Sequence, residues 1–453
     1  MKRLAIALAL LSFACKKSGS DDPCTKAKPE GPFAWIADDY PAALACAKQR
    51  KVPLVIDLWA PWCHTCLSMQ STVFMDPSFA TDKDRFVFVA LDTDREINAA
   101  PLTKLSISAW PTFYVLDHDE AVLARFIGSS SVEQFHAFLD AGARANVDKI
   151  AGADARLLGA ERALTAKDYA TADEELTAAL AAAPETWPRR PDVLGSLILT
   201  KLRRNDFAGC VELAEANLDK TGNAAVASDF LVSAMTCAEQ RSKDEPDRVK
   251  ALRERAIARW QQVLADPAAP LSVDDRSDAM ASQRETLEAL GKTDEARALA
   301  EQQRAILDDA AAMAPNPMAA MTYNYQRAEV YVYLGRPLDL VPALEKSAKD
   351  LPSEYDPRAR LGSLLLRAGK LDEAAKWTDE ALKLAYGPRK GRVLGTRADI
   401  AKQAGDKAAE KKFRIAAVEL YESLAPGQQS PEALAKAKEA LAAIDSGAAP
   451  AKP

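Results

Sequence analysis

From about Val147 onward the chain has no strand-like run. Ala and Leu recur there at helical spacing, with a break about every 15 to 20 residues. The breaks themselves repeat. Gly369-Lys370-Leu371-Asp372-Glu373-Ala374 ends one helical stretch and opens the next, and Gly405-Asp406 does so further on. Lys370 and Asp406 lie 36 residues apart, and Arg336 and Lys370 lie 34 apart. Asn205-Asp206-Phe207, Gly291-Lys292-Thr293-Asp294-Glu295-Ala296 and Gly335-Arg336-Pro337 echo the same break. A helix pair of this length cannot bury its apolar face alone, so it stacks on its neighbours. Small residues such as Gly362 and Ala374 let paired helices approach closely. An irregular helical bundle is the competing architecture.

The first third reads differently. Short apolar runs rich in β-formers cover Pro53–Ala60, Phe86–Leu91, Thr112–Leu116 and Ala121–Ile127. Helical stretches are expected between them, at Ala37–Lys51, Cys66–Phe74, Ile97–Leu105 and Ser131–Ala145. Alternation of this kind predicts an α/β unit. The later block resembles the tetratricopeptide repeat, a helix-turn-helix unit. The resemblance implies an all-α solenoid of about six or seven helix pairs.

The 453 residues carry 59 Lys plus Arg against 65 Asp plus Glu, a net charge of −6, which argues against a general nucleic-acid binder. No apolar run of about 18 residues follows the N-terminus, so no internal membrane span is expected. The N-terminus itself reads as an export signal. Met1-Lys2-Arg3 is basic, Leu4 to Ala14 is apolar apart from Ser12, and small residues precede a cut after Ala14. An ordinary signal peptidase would leave a free Cys15. Leu11-Ser12-Phe13-Ala14-Cys15 also resembles a bacterial lipoprotein box, which implies lipidation of Cys15, although Ser12 and Phe13 depart from the usual pattern. Lipidation is the favoured reading. It implies a periplasmic protein held to a membrane by a lipid anchor only. The polar stretch that follows, to Pro32, reads as a flexible tether.

Chemistry concentrates at Cys63-His64-Thr65-Cys66, which follows one predicted strand and opens a predicted helix. Two intervening residues bring the sulfurs within reach of a disulfide. At a helix N-terminus the first sulfur is favoured as a thiolate, the nucleophile of disulfide exchange. Four-ligand zinc is disfavoured, because there is no second C-x-x-C and only three His are present. Haem attachment needs a His at position 67, which is Leu.

Asp57, Trp59-Ala60-Pro61-Trp62-Cys63-x-x-Cys66 and Trp110-Pro111-Thr112-Phe113 together resemble the thioredoxin superfamily over roughly residues 33–145. Val73-Phe74-x-Asp76-Pro77 and Leu91-Asp92-x-Asp94 look closer to the C-terminal domain of the thiol:disulfide interchange proteins. The resemblance implies a thioredoxin-like α/β fold and a redox-active Cys63–Cys66 pair with no other cofactor and no metal. Cys63 would attack and Cys66 would resolve. Asp57 would be a buried proton relay, and Pro111 would be cis. Trp62, His64, Thr65, Trp110 and Pro111 would meet the substrate, with the Trp110 backbone pairing to it. Two features depart from the family pattern. His64-Thr65 replaces Gly-Pro, and Ala90 stands nearest the place of the Lys that usually pairs with the buried acid. His64 either stabilises the thiolate or faces solvent, so the direction of electron flow stays open.

Cys210 and Cys237 fall on neighbouring predicted helices, where a disulfide and two buried thiols are both open readings. Cys24 and Cys46 are a weaker candidate pair. His118 and His136 read as surface residues and the Asp92–Asp94 pair as a strand-end cap. The expected organisation is a signal peptide at 1–14, a tether at 15–32, a thioredoxin-like domain at 33–145, a repeat domain at 146–447 and a disordered tail at 448–453. Expected partners are protein thiol or disulfide substrates, an upstream redox partner and a protein held by the repeats. The rival reading is a periplasmic scaffold that works through its repeats, with the thioredoxin fold as a recognition module.

Overall fold

The computed structural model describes residues 22–148 and 150–446. The expected signal peptide, Cys15, the first part of the tether and the tail lie outside the described residues.

Six strands form one mixed sheet: β1 (Lys28–Glu30), β2 (Phe33–Ala37), β3 (Leu54–Trp59), β4 (Val87–Asp92), β5 (Thr112–Leu116) and β6 (Val122–Ile127). Their order is β1-β2-β4-β3-β5-β6. The central three strands, β2, β4 and β3, run parallel, and β1, β5 and β6 pair antiparallel. Every residue of β3 before Trp59 is buried, as a central strand covered on both faces requires. One face packs Phe33, Phe74, Phe88, Phe113, Phe135 and Phe138. Two of these rings come from helix α4 (Val132–Val147), which a Ser131–Gln134 capping box opens. The other face carries Ile36, Ile56, Val89 and Tyr114 under helix α1 (Tyr40–Arg50). Helix α2 (His64–Ser71) follows β3, and the short α3 (Ala99–Leu102) follows β4.

Residues 22–32, expected as part of the tether, instead belong to the folded unit. From Asp22 the chain is ordered: Pro23–Lys26 forms a 3-10 turn, β1 adds to the edge of β2, and a Cys24–Cys46 disulfide ties the segment to α1. Lys28, Pro29 and Glu30 are all exposed, so their side chains carry no apolar signal for the ladder their backbone joins. Helix α1 begins later than expected. Asp38 is left-handed (φ 53°), and the Asp39 side chain accepts the Ala42 N–H as an N-cap. The helix expected to reach Phe74 ends at Ser71, and Val73–Met75 tightens into a 3-10 turn.

Beyond α4 all described residues form helices and their connections. In chain order the pairs are α5 (Gly152–Thr165) with α6 (Tyr169–Ala182), α7 (Arg190–Arg203) with α8 (Phe207–Asn217), and α9 (Ala225–Arg241) with α10 (Pro246–Ala265). Then come α11 (Val273–Ala289) with α12 (Thr293–Met313), the short α13 (Pro317–Met321), and α14 (Asn324–Tyr333) with α15 (Val341–Asp350). The series closes with α16 (Asp356–Arg367) and α17 (Leu371–Leu384), α18 (Gly387–Gln403) and α19 (Lys407–Ser423), and α20 (Pro431–Ser446). Gly362 is needed where α16 meets α17, since a Cβ there would lie 2.2 Å from Thr378 Oγ1. A disulfide joins Cys210 of α8 to Cys237 of α9, both fully buried.

The array packs against its own thioredoxin-like domain. Ser106 Oγ donates to the Leu164 carbonyl, Gln134 Nε2 to Asp192 and Arg203 Nη2 to the Ser108 carbonyl. Farther along, the Tyr386 hydroxyl donates to Asp92 at 2.5 Å and Gln428 Nε2 to the Thr93 carbonyl at 2.9 Å. Gly387 marks the tightest approach. Its φ is 55°, and a Cβ there would meet the Asp94 carbonyl oxygen at 2.0 Å. Part of the array's surface is thus occupied by the chain's own first domain, over the cysteine pair.

Candidate active site

Cys63 is the N-cap of α2, and its sulfur accepts the Cys66 N–H at 3.0 Å. The two sulfurs form a disulfide. That cap position aims the free N–H groups of the first turn at Cys63, which favours its thiolate once the pair is reduced. The disulfide is shielded, with Cys63 5% and Cys66 1% exposed. Around it sit Ala60 and the partly buried rings of Trp59, Trp62 and Trp110. The Trp62 and Trp110 rings meet edge to face, 5.1 Å apart. The Trp110–Pro111 peptide bond is cis, and Pro111 is buried.

Asp57 lies in β3, paired in register with Ala90 of β4 and Phe113 of β5. It is 2% exposed, and its Oδ1 has no hydrogen-bond partner among the described residues. Burial, with a smaller contribution from Glu30, pushes its carboxyl up to about 8. An acid of that strength holds a proton at neutral pH and can release it to a nearby thiolate. Ala90, on the adjacent strand, leaves it without a cation.

His64 settles between the two domains. Its Nδ1 lies 3.0 Å from both carboxylate oxygens of Asp274 and 3.9 Å from Asp278, both on α11. Its ring stacks on Tyr325 at 5.5 Å. Burial alone would push the imidazole down, but Asp274 and Asp278 more than offset this and hold it at about 9. His64 is therefore an imidazolium at neutral pH, with the Asp274 carboxylate as its partner. His64, Asp274 and Asp278 bring three possible ligand atoms within 4.8 Å of one another. The short contacts of Nδ1 with Asp274 already engage the atoms a cation would need.

The Trp62 side is held just as closely. Its indole N–H donates to Asp94 at 2.8 Å, and the Tyr355 hydroxyl reaches the same oxygen. Burial and Asp92 push Asp94 up to about 6 against these hydrogen bonds. The Arg389 guanidinium lies 4.5 Å from the centre of the Trp62 ring, and Arg360 donates to the Trp62 carbonyl. The Asp92–Asp94 pair therefore caps the strand end and also receives the array. Thr65 is partly buried at the rim. Of the other two His, His118 is open to solvent, while His136 is partly buried against Phe79 and Asp82.

The structure brings Cys63, Cys66, Trp62, His64, Thr65, Trp110 and Pro111 to one place. Sequence reading missed Asp274, Asp278, Tyr325, Tyr355, Arg360 and Arg389, which close over them from the array. Asp274-Asp275 gave no local signal, because Ser272-x-x-Asp275 reads as an ordinary capping box and is one.

Residues 34–117 match the thioredoxin-like family. Over 126 residues the chain is 32% identical to the thiol:disulfide interchange protein DsbD of Pectobacterium atrosepticum, covering 27% of this chain and 21% of that protein. Over 100 residues it is 31% identical to the chloroplastic thioredoxin-like protein CITRX of Oryza sativa subsp. indica, covering 20% of this chain and 50% of that one. The chain thus spans half or less of each relative's length. Among solved structures, a tetratricopeptide repeat protein from Parabacteroides merdae aligns with a TM-score of 0.42 at 13% identity, over 65% of this chain and 98% of that one. No helix among the described residues is long and apolar enough to cross a membrane. The chain joins a thioredoxin-like domain, with its cysteine pair at the head of the second helix, to an array of tetratricopeptide-like helix pairs.

Proposed function

We propose that the protein is an exported thiol:disulfide oxidoreductase, anchored by a lipid on Cys15, that exchanges disulfides with protein partners. The observation that carries this reading is the Cys63–Cys66 disulfide capping α2 beside the cis Trp110–Pro111 turn. In the reducing direction, the Cys63 thiolate attacks a substrate disulfide. A mixed disulfide forms and one substrate thiol leaves. Cys66 gives up its proton, with Asp57 as relay, and attacks Cys63 Sγ. The second substrate thiol leaves, and Cys63–Cys66 is left oxidised. Two electrons have passed to the substrate, so an upstream dithiol must restore the pair. The oxidising direction is the same sequence reversed.

Cys66→Ser is expected to stop the sequence after its first half. Reduced Cys66→Ser protein, incubated with an oxidised periplasmic extract, should hold proteins in adducts that a dithiol releases. The Cys63→Ser, Cys66→Ser double variant should hold none. Absence of adducts with the single variant would remove protein disulfides as the substrate. The scaffold reading draws on one observation, the array seated over a nearly inaccessible Cys63. It predicts protein capture that neither cysteine variant changes.

A further inference from the structure

Where the array crosses the thioredoxin-like domain, a cavity of about 270 Å³ remains. It reaches Thr65 of the cysteine loop and Ala109 and Trp110 of the cis-proline turn, and α9 and α11 wall its other side. We propose that this cavity seats a lysine or arginine side chain of an extended peptide whose cysteine is presented to Cys63. The inference rests on the thiol:disulfide reading and adds the class of substrate.

Position is the first argument. Neither the N–H nor the C=O of the Trp110 backbone is taken by a hydrogen bond among the described residues. An extended chain can therefore pair there, at the cavity lining itself. Shape is the second. Ile127, Val226 and Val232 line the cavity and suit the methylene stem of a long side chain. Asp229 and Val232, one turn apart on α9, are both exposed, so this face of the helix is open to an entering group. Gly128 leaves room opposite, since a Cβ there would lie 3.3 Å from Asp229 Oδ2.

Charge is the third argument and the most specific. Asp229, Asp275 and Asp278 all line the cavity. Asp229 accepts no hydrogen bond and pairs with no cation among the described residues. His64 is the cation beside this group, and Asp274 already holds it at 3.0 Å. Arg125 and Arg189 also line the cavity, but Arg189 is engaged by Glu161 and Asp192, and Arg125 donates to Tyr114 and Ser108. A cationic head group would meet three carboxyls there, and an acidic one would be repelled by them.

The test is calorimetric binding to the oxidised full chain. The probes are short peptides with capped ends and no other charged residue, with Ser in place of Cys and Lys, Arg, Ala or Glu two residues away. The Lys and Arg peptides should bind at least about tenfold more tightly than the Ala and Glu peptides, a difference of about 1.4 kcal/mol. Asp229→Asn and Asp275→Asn should each reduce that ratio to about threefold or less. Equal binding, or none, by the unaltered protein would overturn the proposal, as would a preference that survives both substitutions. These peptides undergo no exchange, so the two readings fail separately. A basic preference without exchange of any disulfide would remove only the oxidoreductase. Exchange with a small disulfide but equal peptide binding would remove only the cavity proposal.

Discussion

Cys63→Ser should lose disulfide exchange by a factor on the order of 10³ or more, to the uncatalysed background. The size follows from its place in the sequence of steps. A serine hydroxyl is a poor nucleophile toward sulfur, and the one thiol the substitution frees among the described residues, Cys66, is 1% exposed and does not reach a substrate in its place. Cys24 is joined to Cys46, and Cys210 to Cys237. The structural cost is small, because the cap position is retained and Ser is a good N-cap. The check is the turnover of a protein disulfide by the reduced full chain, with far-UV circular dichroism to show that the fold is kept. Retained turnover would remove the cysteine pair from the mechanism.

Asp274→Asn should uncover the cysteine loop. The Asp274 side chain is 1% exposed, and the charge it holds comes from the loop between the two cysteines. Breaking a buried pair by removing one partner costs about 3–5 kcal/mol in general. The cost here is discounted, because Asp278 stays nearby and is half exposed. Trp62, Tyr386 and Gln428 keep their own contacts across the interface. An opening of about 1.4 kcal/mol, or tenfold, is therefore expected. The readout is the alkylation rate of reduced Cys63 by a bulky maleimide divided by its rate with a small one. That ratio cancels any change in thiolate fraction. It should rise about tenfold in the variant.

The same pair predicts a pH dependence. The folded His64 value of about 9 stands above its ordinary 6.5, so the stabilisation is complete below about pH 6.5 and is lost as pH rises through about 9. The alkylation ratio of the unaltered protein should rise over that window and that of Asp274→Asn should stay flat. An unchanged ratio in the variant would show that the array does not hold the loop through His64.

How much of this was legible beforehand differs from place to place. The four strands read from sequence are those with long apolar runs, and the helix pairs carried their own period. β1 was not legible, because Lys28-Pro29-Glu30 joins the sheet by backbone alone. β2 was short and lay against a stretch read as helix. At the site, Cys63, Cys66, Asp57 and the Trp110–Pro111 turn were legible, since local spacing and burial set their roles. The partners of His64 were not. Asp274 lies 210 residues away, and its own neighbourhood looks like any capped helix start. A contact between two domains leaves no mark on the periodicity of either one. The acidic cavity was hidden for the same reason, as its walls come from β6 and the cis-proline turn on one side and from α5, α7, α9 and α11 on the other.

A working Cys63–Cys66 redox couple has a reduction potential. Equilibrating the full chain with dithiol buffers of graded potential, then trapping thiols and weighing the fragment that holds both cysteines, reads it. One reversible two-electron transition is expected between about −270 mV and about −120 mV, with Cys210–Cys237 unchanged across it. A fragment that stays oxidised at every poise, or that cannot be reoxidised once reduced, would rule out a redox role for the pair.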